Sequence, residues 1–341
     1  MSLYARLADL PLVVDGLALE RRESDTSSGF LRVTTTVALS GGGHVGRGED
    51  VSYQAEEHDG YPEPDLRGRW TVGTLSARLG EVDLWPAGPA SWPASVEYRR
   101  WAWESAVLDL ALRQARTSLG EAIGRPYRSV RFIVSTRNDP RDWLAFDPEL
   151  EFKLDPTPEW EPGYVEALAA TGRIRVLDLK SYYTGTVVDN APDPALYRAC
   201  VELFPDAVIE DPALTDELRA ILAPAEGRLS FDAPIHSIAD VEALPLEPRF
   251  LNVKPSRFGT LERLLACIEW CETRGIAMYG GGQFELGYGR GQIQALASLF
   301  YADAANDVAP PAFNEPEPRA GLPRSPLAPS DRPEGFSFPT A

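Results

Sequence analysis

The sequence predicts an α/β protein in which a small α+β region precedes a barrel of parallel strands alternating with helices. Its 341 residues are enough for roughly two domains, or for one large barrel with an added piece. After Pro126, short apolar runs alternate with segments of helical periodicity, as expected when strands and helices alternate in such a barrel. Charged residues follow several of these runs at intervals close to one strand–helix repeat.

The first third of the chain has a different pattern. A β-branched run at 33–39 and a segment at 44–48 are separated by three glycines at 41–43, which predicts a β-hairpin. Residues 50–92 are rich in proline, glycine and acids, which favours loops and a short element. Apolar residues then recur at three- and four-residue steps over 94–124, which predicts one long helix ended by a Gly-Arg-Pro sequence.

Eight apolar runs follow, and each predicts one strand of the barrel: 130–134, 150–154, 174–177, 207–209, 229–231, 250–253, 276–279 and 307–309. Between them lie six segments with a helical pattern: 164–171, 194–204, 215–223, 238–244, 261–274 and 291–302. The segment 138–149 is too short and too rich in proline to predict a helix. The many prolines after residue 310 predict an extended strap over the surface, with partial disorder as the alternative.

Five ionisable residues stand at the ends of consecutive predicted strands: Lys153, Asp178, Glu210, Asp232 and Lys254. The gaps between them are 25, 32, 22 and 22 residues, so each stands about one repeat after the last. Active-site residues of such barrels lie at the carboxyl ends of the strands. We therefore expect these five side chains to gather at one mouth of the barrel.

The three acids among them predict a metal site, since three carboxylates that close cannot all remain ionised without a cation. Oxygen ligands suit Mg2+, which keeps open positions for water or substrate. The two lysines lie on the flanking strands, and a lysine shielded from water beside cations has a lowered pKa and can act as a base. Taken singly, each acid has a simpler interpretation as a helix cap or turn residue, and each lysine as a solvated surface group.

Composition excludes several classes of protein. The 33 basic and 51 acidic residues give a net charge of −18, which argues against a nucleic-acid binder and against docking on an anionic membrane. No apolar run is long enough to span a bilayer, and the N-terminus lacks a signal-peptide pattern. Among three cysteines, Cys267 and Cys271 are expected to be buried apolar residues rather than metal ligands. A reducing, cytoplasmic setting follows as the expectation.

Several segments resemble the enolase superfamily and, within it, the muconate-lactonizing-enzyme-like subgroup of the mandelate racemase/muconate lactonizing enzyme family. They are 46–49, 152–154, 176–178, 208–212, 230–232, 252–259 and 280–287. The resemblance covers most of the chain and implies a modified TIM barrel, (β/α)7β, with an N-terminal α+β capping domain. The implied divisions are a capping domain at 1–125, a barrel with the metal site at 126–310, and a C-terminal tail at 311–341 that returns to the capping domain.

The resemblance also implies a mechanism. Mg2+ held by Asp178, Glu210 and Asp232 would bind the carboxylate of a small-molecule substrate, and Lys153 or Lys254 would remove the proton α to it. The metal would stabilise the enediolate, and the opposite lysine would return a proton or stabilise charge. The product would be that of a racemase or epimerase, a cycloisomerase, or a lyase of the o-succinylbenzoate synthase type. Homo-oligomers are common for this kind of barrel, although the sequence identifies no interface.

One further residue and several departures leave the substrate open. Glu285 would lie close to the acid/base machinery, with a surface residue of a glycine-rich turn as the alternative. Glu151 stands where the subgroup carries the first lysine of Lys-x-Lys, Lys180 where it often has asparagine, and Ala233 where it often has an acid. His236 is expected to be a loop histidine rather than a second base. The segment 182–194 is longer than expected.

Two other functions compete with this interpretation. The departures are compatible with a non-catalytic barrel that keeps the fold and the metal only as a binding module. An unrelated metal-dependent barrel is the other alternative, such as an aldolase in which one lysine forms a Schiff base with a carbonyl substrate.

Overall fold

The structure is a computed structural model that describes residues 1–186 and 188–338. Its N-terminal part contains the strands β1 (Pro11–Val14), β2 (Gly16–Asp25), β3 (Leu31–Gly41), β4 (His44–Asp50) and β5 (Gly68–Thr71). The helices of this part are α1 (Val72–Leu79), α2 (Ser95–Gln114) and α3 (Leu119–Ile123). An antiparallel sheet in the order β2–β3–β4 covers α2, and β1 pairs with β5 in a separate two-stranded ribbon.

The hairpin predicted at 33–48 is confirmed. Strands β3 and β4 are antiparallel and pair from Thr35 opposite Asp50 to Gly41 opposite His44. The turn residues Gly42 and Gly43 have φ angles of 56° and 79°, which only glycine adopts without cost. The turn chemistry therefore fixes the register of the sheet that packs on α2.

The prediction of a single helix over 94–124 is wrong, because the chain forms two helices there. Helix α2 ends at Gln114, and Arg116 takes a left-handed conformation with φ of 53°. Ser118 then caps α3 reciprocally: its hydroxyl accepts from the Glu121 N–H at 3.3 Å, and the Glu121 carboxylate accepts from the Ser118 N–H at 3.0 Å. This capping box starts a new helix while the apolar spacing continues, so the periodicity alone conceals the break.

The second part is a barrel of seven parallel strands in the order β12–β11–β10–β9–β8–β7–β6. Its strands are β6 (Val134–Ser135), β7 (Phe152–Leu154), β8 (Ile174–Asp178), β9 (Val208–Glu210), β10 (Leu229–Phe231), β11 (Phe250–Val253) and β12 (Ala277–Gly280). Its helices are α4 (Pro140–Leu144), α5 (Pro162–Ala170), α6 (Pro194–Leu203), α7 (Asp216–Leu222), α8 (Ile238–Glu242), α9 (Leu261–Arg274) and α10 (Tyr288–Phe300).

Residues Asn306 and Asp307 close the ring in the place of an eighth strand. Asn306 bridges Phe132 and Asp307 bridges Gly281, both in parallel. The Ile133 N–H donates to the Asn306 carbonyl at 2.8 Å, and the Asp307 N–H donates to the Gly280 carbonyl at 2.8 Å. The expected (β/α)7β barrel behind an N-terminal α+β unit is therefore confirmed, and its first and last strands are joined through this short segment.

Six of the predicted strands, from 150–154 to 276–279, are confirmed with ends that differ by two residues at most. The first predicted strand, 130–134, is shorter in the structure, because its residue Val130 pairs with Leu327 of the tail. The segment 138–149, for which no helix was predicted, contains α4. Asp139 caps it by accepting from the Arg141 N–H at 2.9 Å, and its first residue is Pro140, where proline is well tolerated.

The tail beyond residue 310 lies along both parts of the protein. It pairs with the barrel at Leu327 and with the start of α3, where the Leu119 N–H donates to the Gly335 carbonyl at 3.0 Å. Phe336 packs edge-on against Trp101 of α2, with ring centroids 6.1 Å apart. None of the described helices combines the length and the apolarity that crossing a membrane requires.

The close approach of β4 to α2 leads to a testable expectation for Gly48. A Cβ at this position would lie 2.0 Å from the Ala102 carbonyl oxygen and 2.3 Å from the Ser105 hydroxyl. We expect Gly48→Ala to lower the free energy of unfolding by about 2–3 kcal/mol, because the backbone of α2 must move. Gly163→Ala in α5 is the matched control, since nothing lies within 4 Å of its added Cβ. Equal urea midpoints for the two variants would contradict the expectation.

Candidate active site

Three carboxylates meet at the mouth of the barrel. Asp178 ends β8, Glu210 ends β9 directly opposite it in the register, and Asp232 follows β10. All three are fully buried, and one oxygen from each lies within 4.8 Å of the others. The parallel sheet explains the meeting, because neighbouring strands end at the same edge. We call these residues the acidic trio.

Lys153 contacts two members of the trio from β7. Its Nζ lies 2.5 Å from Glu210 Oε1, 3.0 Å from Asp178 Oδ2 and 4.0 Å from Asp307 Oδ2. Burial alone would lower the pKa of Lys153, but Asp178 and Glu210 outweigh it and hold the pKa well above its usual value. The ammonium is therefore the internal counter-ion of this half of the trio.

Lys254 contacts the third member from the other side. It follows β11, so it belongs to a strand beyond β10, whereas Lys153 belongs to the strand before β8. Its Nζ lies 2.8 Å from Asp232 Oδ2. Gly281 makes room for this side chain, since a Cβ there would lie 2.9 Å from Lys254 Cε. The two lysines thus reach different members of the trio from the two flanking strands.

Lys180 is the third lysine of the site. Its backbone is left-handed, with φ of 55°, and its Nζ contacts Asp178 Oδ2 and lies 3.5 Å from Asp155 Oδ1. Burial would lower the pKa of Lys180, but Asp155 and Asp178 outweigh it and raise the pKa well above its usual value. For Lys153 the carboxylates thus oppose the lowered pKa that the sequence predicts beside a divalent cation.

The chain contains no other lysine. The remaining 30 of its 33 basic residues are arginines, yet all three lysines contact the trio. Lysine differs from arginine in that its compact ammonium can lose a proton within the accessible pH range. The rarity of lysine is visible in the sequence, whereas the position of all three lysines beside the trio is visible only in the structure.

Arg257 and Tyr183 complete the surroundings of Asp232. Arg257 follows β11 in the short helix Pro255–Phe258; its Nη2 lies 3.3 Å from Asp232 Oδ2 and its Nη1 donates to the Ala233 carbonyl at 3.0 Å. The Tyr183 hydroxyl lies 3.3 Å from Asp232 Oδ2 and 3.0 Å from Arg257 Nη2. Although burial raises the pKa of Asp232, Arg257 and Lys254 outweigh it and hold the pKa below its usual range.

The sequence did not identify either residue as part of the site. Arg257 is in the motif at 252–259 that carries the resemblance, but nothing in the motif indicates its contact with Asp232. Tyr183 is the second residue of the segment at 182–194 that is longer than expected, and this length was the only signal. The extra residues after β8 therefore bring a hydroxyl across to the end of β10.

Asp211 holds the backbone that carries Asp232. Its carboxylate accepts from the N–H groups of Asp232 at 2.8 Å and Ala233 at 3.0 Å, and its own φ is 49°. Burial, with the nearby charges of Asp178 and Asp232, raises the pKa of Asp211 to about 7. Asp211 therefore stabilises the turn that follows the next strand, β10.

Glu210 is held by two neutral side chains, those of Tyr279 and Asn252, as well as by Lys153. The Tyr279 hydroxyl donates to Glu210 Oε2 and lies 2.9 Å from the Ser230 hydroxyl. The Asn252 amide lies 3.3 Å from both carboxylate oxygens. Burial and the charges of Asp178 and Asp232 nevertheless raise the pKa of Glu210. The carboxylate is therefore fixed in one orientation.

Glu285 is buried, but its contacts lie outside the trio. It accepts from the Gln283 N–H at 2.8 Å and pairs with Arg290 at 3.2 Å. From β4, Glu49 accepts from the N–H groups of Leu286 at 2.7 Å and Gly289 at 2.8 Å. The capping region thus holds the loop that carries Glu285 beside the mouth of the barrel.

Glu151 and His236, whose roles the sequence left open, contact residues outside the trio. Glu151 forms a double contact with Arg131, at 2.7 and 2.8 Å, and a further contact with Arg175 at 2.6 Å. It therefore belongs to an ion-pair network and not to the trio. The half-buried ring of His236 lies 3.0 Å from the Arg257 carbonyl through Nδ1, in the loop after β10.

The donors of the trio fit a hard divalent cation. They are all carboxylate oxygens from rigid strand ends, which is the ligand type that Mg2+ prefers. Among the described residues, Asp232 Oδ1 and Asn252 Oδ1 are buried and accept no hydrogen bond, although Arg257 Nε lies 3.2 Å from the Asp232 oxygen. A buried carboxylate oxygen without a hydrogen bond is costly, and coordination to a cation would satisfy it.

Comparisons with solved structures confirm the fold. A member of the enolase superfamily from Listeria innocua matches with a TM-score of 0.61 and 20% identity over 97% of this chain and 92% of that one. A dipeptide epimerase from Methylococcus capsulatus complexed with Mg ion gives 0.64 and 18% over 96% and 100%. A muconate cycloisomerase from Pseudomonas fluorescens gives 0.62 and 16% over 96% and 95%. The chain therefore has the enolase superfamily fold that the motifs indicated.

Two family models match the sequence directly. The model described as the C-terminal domain of a domain of unknown function (DUF8230) matches residues 126–315, and the corresponding N-terminal domain model matches residues 5–122. No curated protein matches the chain. Because the first model alone covers more than half of the sequence, the chain belongs to the DUF8230 family.

Proposed function

We propose that this protein is an isomerase or lyase that removes the proton α to a substrate carboxylate, with Mg2+ as cofactor and an enediolate as intermediate. One observation carries the proposal: a buried trio of carboxylates lies between lysines from the two flanking strands. This arrangement places positive charge and basic groups around one point. The matched dipeptide epimerase and muconate cycloisomerase support the same class of reaction.

Asp178, Glu210 and Asp232 would hold the cation. When bound, Mg2+ would supply positive charge for the oxygens on which negative charge develops. Neutral hydrogen-bond donors hold the Glu210 carboxylate, and Asp211 accepts from the backbone N–H of Asp232. Two of the three ligands are therefore kept in place. Such preorganisation matters, because a ligand that must reorient weakens both binding and catalysis.

Lys254 and Lys153 would exchange protons with the α-carbon from opposite sides. In a racemase or epimerase one lysine removes the proton and the other returns it, whereas a cycloisomerase or lyase needs only one of them as base. Lys254 contacts Oδ2 of Asp232, whose Oδ1 accepts no hydrogen bond, so its ammonium is adjacent to the place where the cation and substrate would meet. Glu285 is proposed as a nearby residue that positions the loop after β12.

A second candidate is a binding module that keeps the fold without turnover. The observation that favours it is the pairing of the trio: Asp178 and Asp232 each contact two basic side chains. A site neutralised in this way could bind a small anion without performing chemistry on it. Exchange of a substrate proton with solvent separates the two candidates.

We also propose a small-molecule carboxylate as the partner, a cytoplasmic setting and no role in nucleic-acid binding. The net charge of −18 supports the last point. All three cysteines are free and buried, which suits a reducing compartment.

Metal binding is tested by thermal unfolding with and without Mg2+. At a concentration about 100 times its dissociation constant, the ion should stabilise the fold by about 2.7 kcal/mol, which raises the melting temperature by several degrees. Asp178→Asn, Glu210→Gln and Asp232→Asn should each remove this rise. Glu226→Gln, at an exposed position, should keep it. A wild-type protein whose melting temperature does not respond to Mg2+ would count against the proposal.

A further inference from the structure

The contacts of Asp178 differ from those of the other two trio members. Its Oδ2 is shared by two ammonium groups: Lys153 Nζ at 3.0 Å and Lys180 Nζ in direct contact. Glu210 contacts one ammonium, and Asp232 contacts one ammonium and one guanidinium. A divalent cation at the trio would therefore meet two compact ammonium charges at the Asp178 oxygen, whereas one of the two charges on Asp232 is a delocalised guanidinium.

Lys153 has no alternative position. Its side chain is only 2% exposed and is surrounded by Asp178, Glu210 and Asp307. Moving this ammonium away would leave the buried Glu210 without its counter-ion. Lys153 is therefore a fixed part of the site.

Lys180 does have an alternative position. Its side chain is 12% exposed, and a second carboxylate, Asp155, lies 3.5 Å from Nζ and is itself partly exposed. The ring of Tyr183 lies on a third side, with its centroid 5.1 Å from Nζ. A short movement of the side chain would exchange Asp178 for Asp155 while the ammonium kept an acidic partner.

The two cations of Asp178 therefore differ in mobility. A divalent ion and an ammonium on one carboxylate oxygen repel each other strongly, because the site is buried and screening by water is weak. The repulsion is relieved at least cost by the group that can move to an acid outside the trio without taking a counter-ion from Glu210. That group is Lys180.

We propose that Lys180 is a movable counter-cation that competes with the divalent ion for Asp178, and that binding of the ion transfers Lys180 to Asp155. The inference rests on the proposed function, since it takes the trio as the metal site. Lys180 remains protonated throughout, so only its position changes. It acts as a positioning residue that lowers the affinity of the site for the metal while keeping Asp178 paired before the metal binds.

The test is calorimetric titration of the protein with Mg2+ alone, and no turnover is needed. Lys180→Met removes the competitor and should tighten Mg2+ binding by at least about tenfold. Lys180→Arg keeps the charge and should not tighten it. Arg141→Met removes an arginine of a more exposed ion pair and should leave the affinity unchanged, which controls for loss of charge in general.

The variant Asp155→Asn provides a second, independent test of the transfer. Without the second carboxylate, Lys180 stays on Asp178, so Mg2+ binding should weaken several-fold. The same substitution in the Lys180→Met background should have little effect, because the group that Asp155 receives is gone. This double-mutant cycle measures the coupling directly.

The outcomes distinguish this inference from the proposed function. Wild-type binding with unchanged or weaker binding by Lys180→Met overturns the counter-cation role alone. A wild-type protein that does not bind Mg2+ overturns the proposed cofactor. Gain of Mg2+ binding in Lys180→Met would, in that case, still support competition for Asp178. If neither protein binds Mg2+, the proposed cofactor and the counter-cation role are both overturned. Additive effects of the Asp155 and Lys180 substitutions would refute the transfer between the two carboxylates.

Discussion

Lys254→Met is expected to lower the exchange of a substrate α-proton with solvent by roughly 10²–10⁴-fold, the usual contribution of a general acid or base. The side chain is buried and its Nζ lies 2.8 Å from Asp232, so the substitution removes the basic group on that side of the trio. Exchange is measured by proton NMR in deuterated water with Mg2+. The probes are acid-sugar, dipeptide, N-acylamino-acid and cyclohexadiene carboxylates, tested first with the wild-type protein.

Two controls separate proton transfer from simple charge. Lys254→Arg keeps a cation near Asp232 but does not release a proton near neutral pH, so it should also lose exchange. Both variants should keep the Mg2+-dependent rise in melting temperature, because the trio is intact. Exchange that survives in Lys254→Arg would reduce Lys254 to an electrostatic role. Wild-type protein with no exchange on any probe would favour the binding module.

The acidic trio was predictable because parallel strands place their carboxyl ends together. A charged residue after each apolar run was then sufficient to bring Asp178, Glu210 and Asp232 into one place, without knowledge of any side-chain contact. The strand positions from β7 to β12 followed for the same reason: each is a short apolar run bounded by helix signals. These features depend on local pattern and on topology alone.

What the sequence did not reveal depends on contacts between distant segments. Arg257 and Tyr183 reach Asp232 from different loops, and Tyr279 and Asn252 reach Glu210 from different strands. No periodicity records where such a side chain points. The break between α2 and α3 was concealed for a local reason, since its capping box lies within a continuous apolar pattern.

The lysine distribution lies between these two cases. Three lysines in 341 residues are visible in the sequence, but their shared position beside the trio is visible only in the structure. Once both are known, the lysines divide by their surroundings. Lys153 is enclosed, Lys254 contacts Asp232 alone among the trio, and Lys180 lies between two acids. Their roles are therefore expected to differ, and substitutions should separate them.

Lys153→Met is expected to destabilise the fold more than any other single change at the site, by about 3–5 kcal/mol, since it leaves the buried Glu210 without its counter-ion. The contacts with Glu210 at 2.5 Å and Asp178 at 3.0 Å are both lost. Urea unfolding without added metal measures the effect. Arg128→Met, which breaks an exposed ion pair with Asp303, should change the midpoint very little.

The cause of this destabilisation is tested by removing the excess charge in two ways. Lys153→Met/Glu210→Gln should be more stable than Lys153→Met alone, because one uncompensated carboxylate becomes neutral. Mg2+ should stabilise Lys153→Met by more than it stabilises the wild-type protein, since the ion replaces the missing positive charge. If neither change restores stability, the loss comes from packing of the lysine stem and not from its charge. Lys153 would then be a structural residue of the barrel, and proton transfer would rest on Lys254 alone.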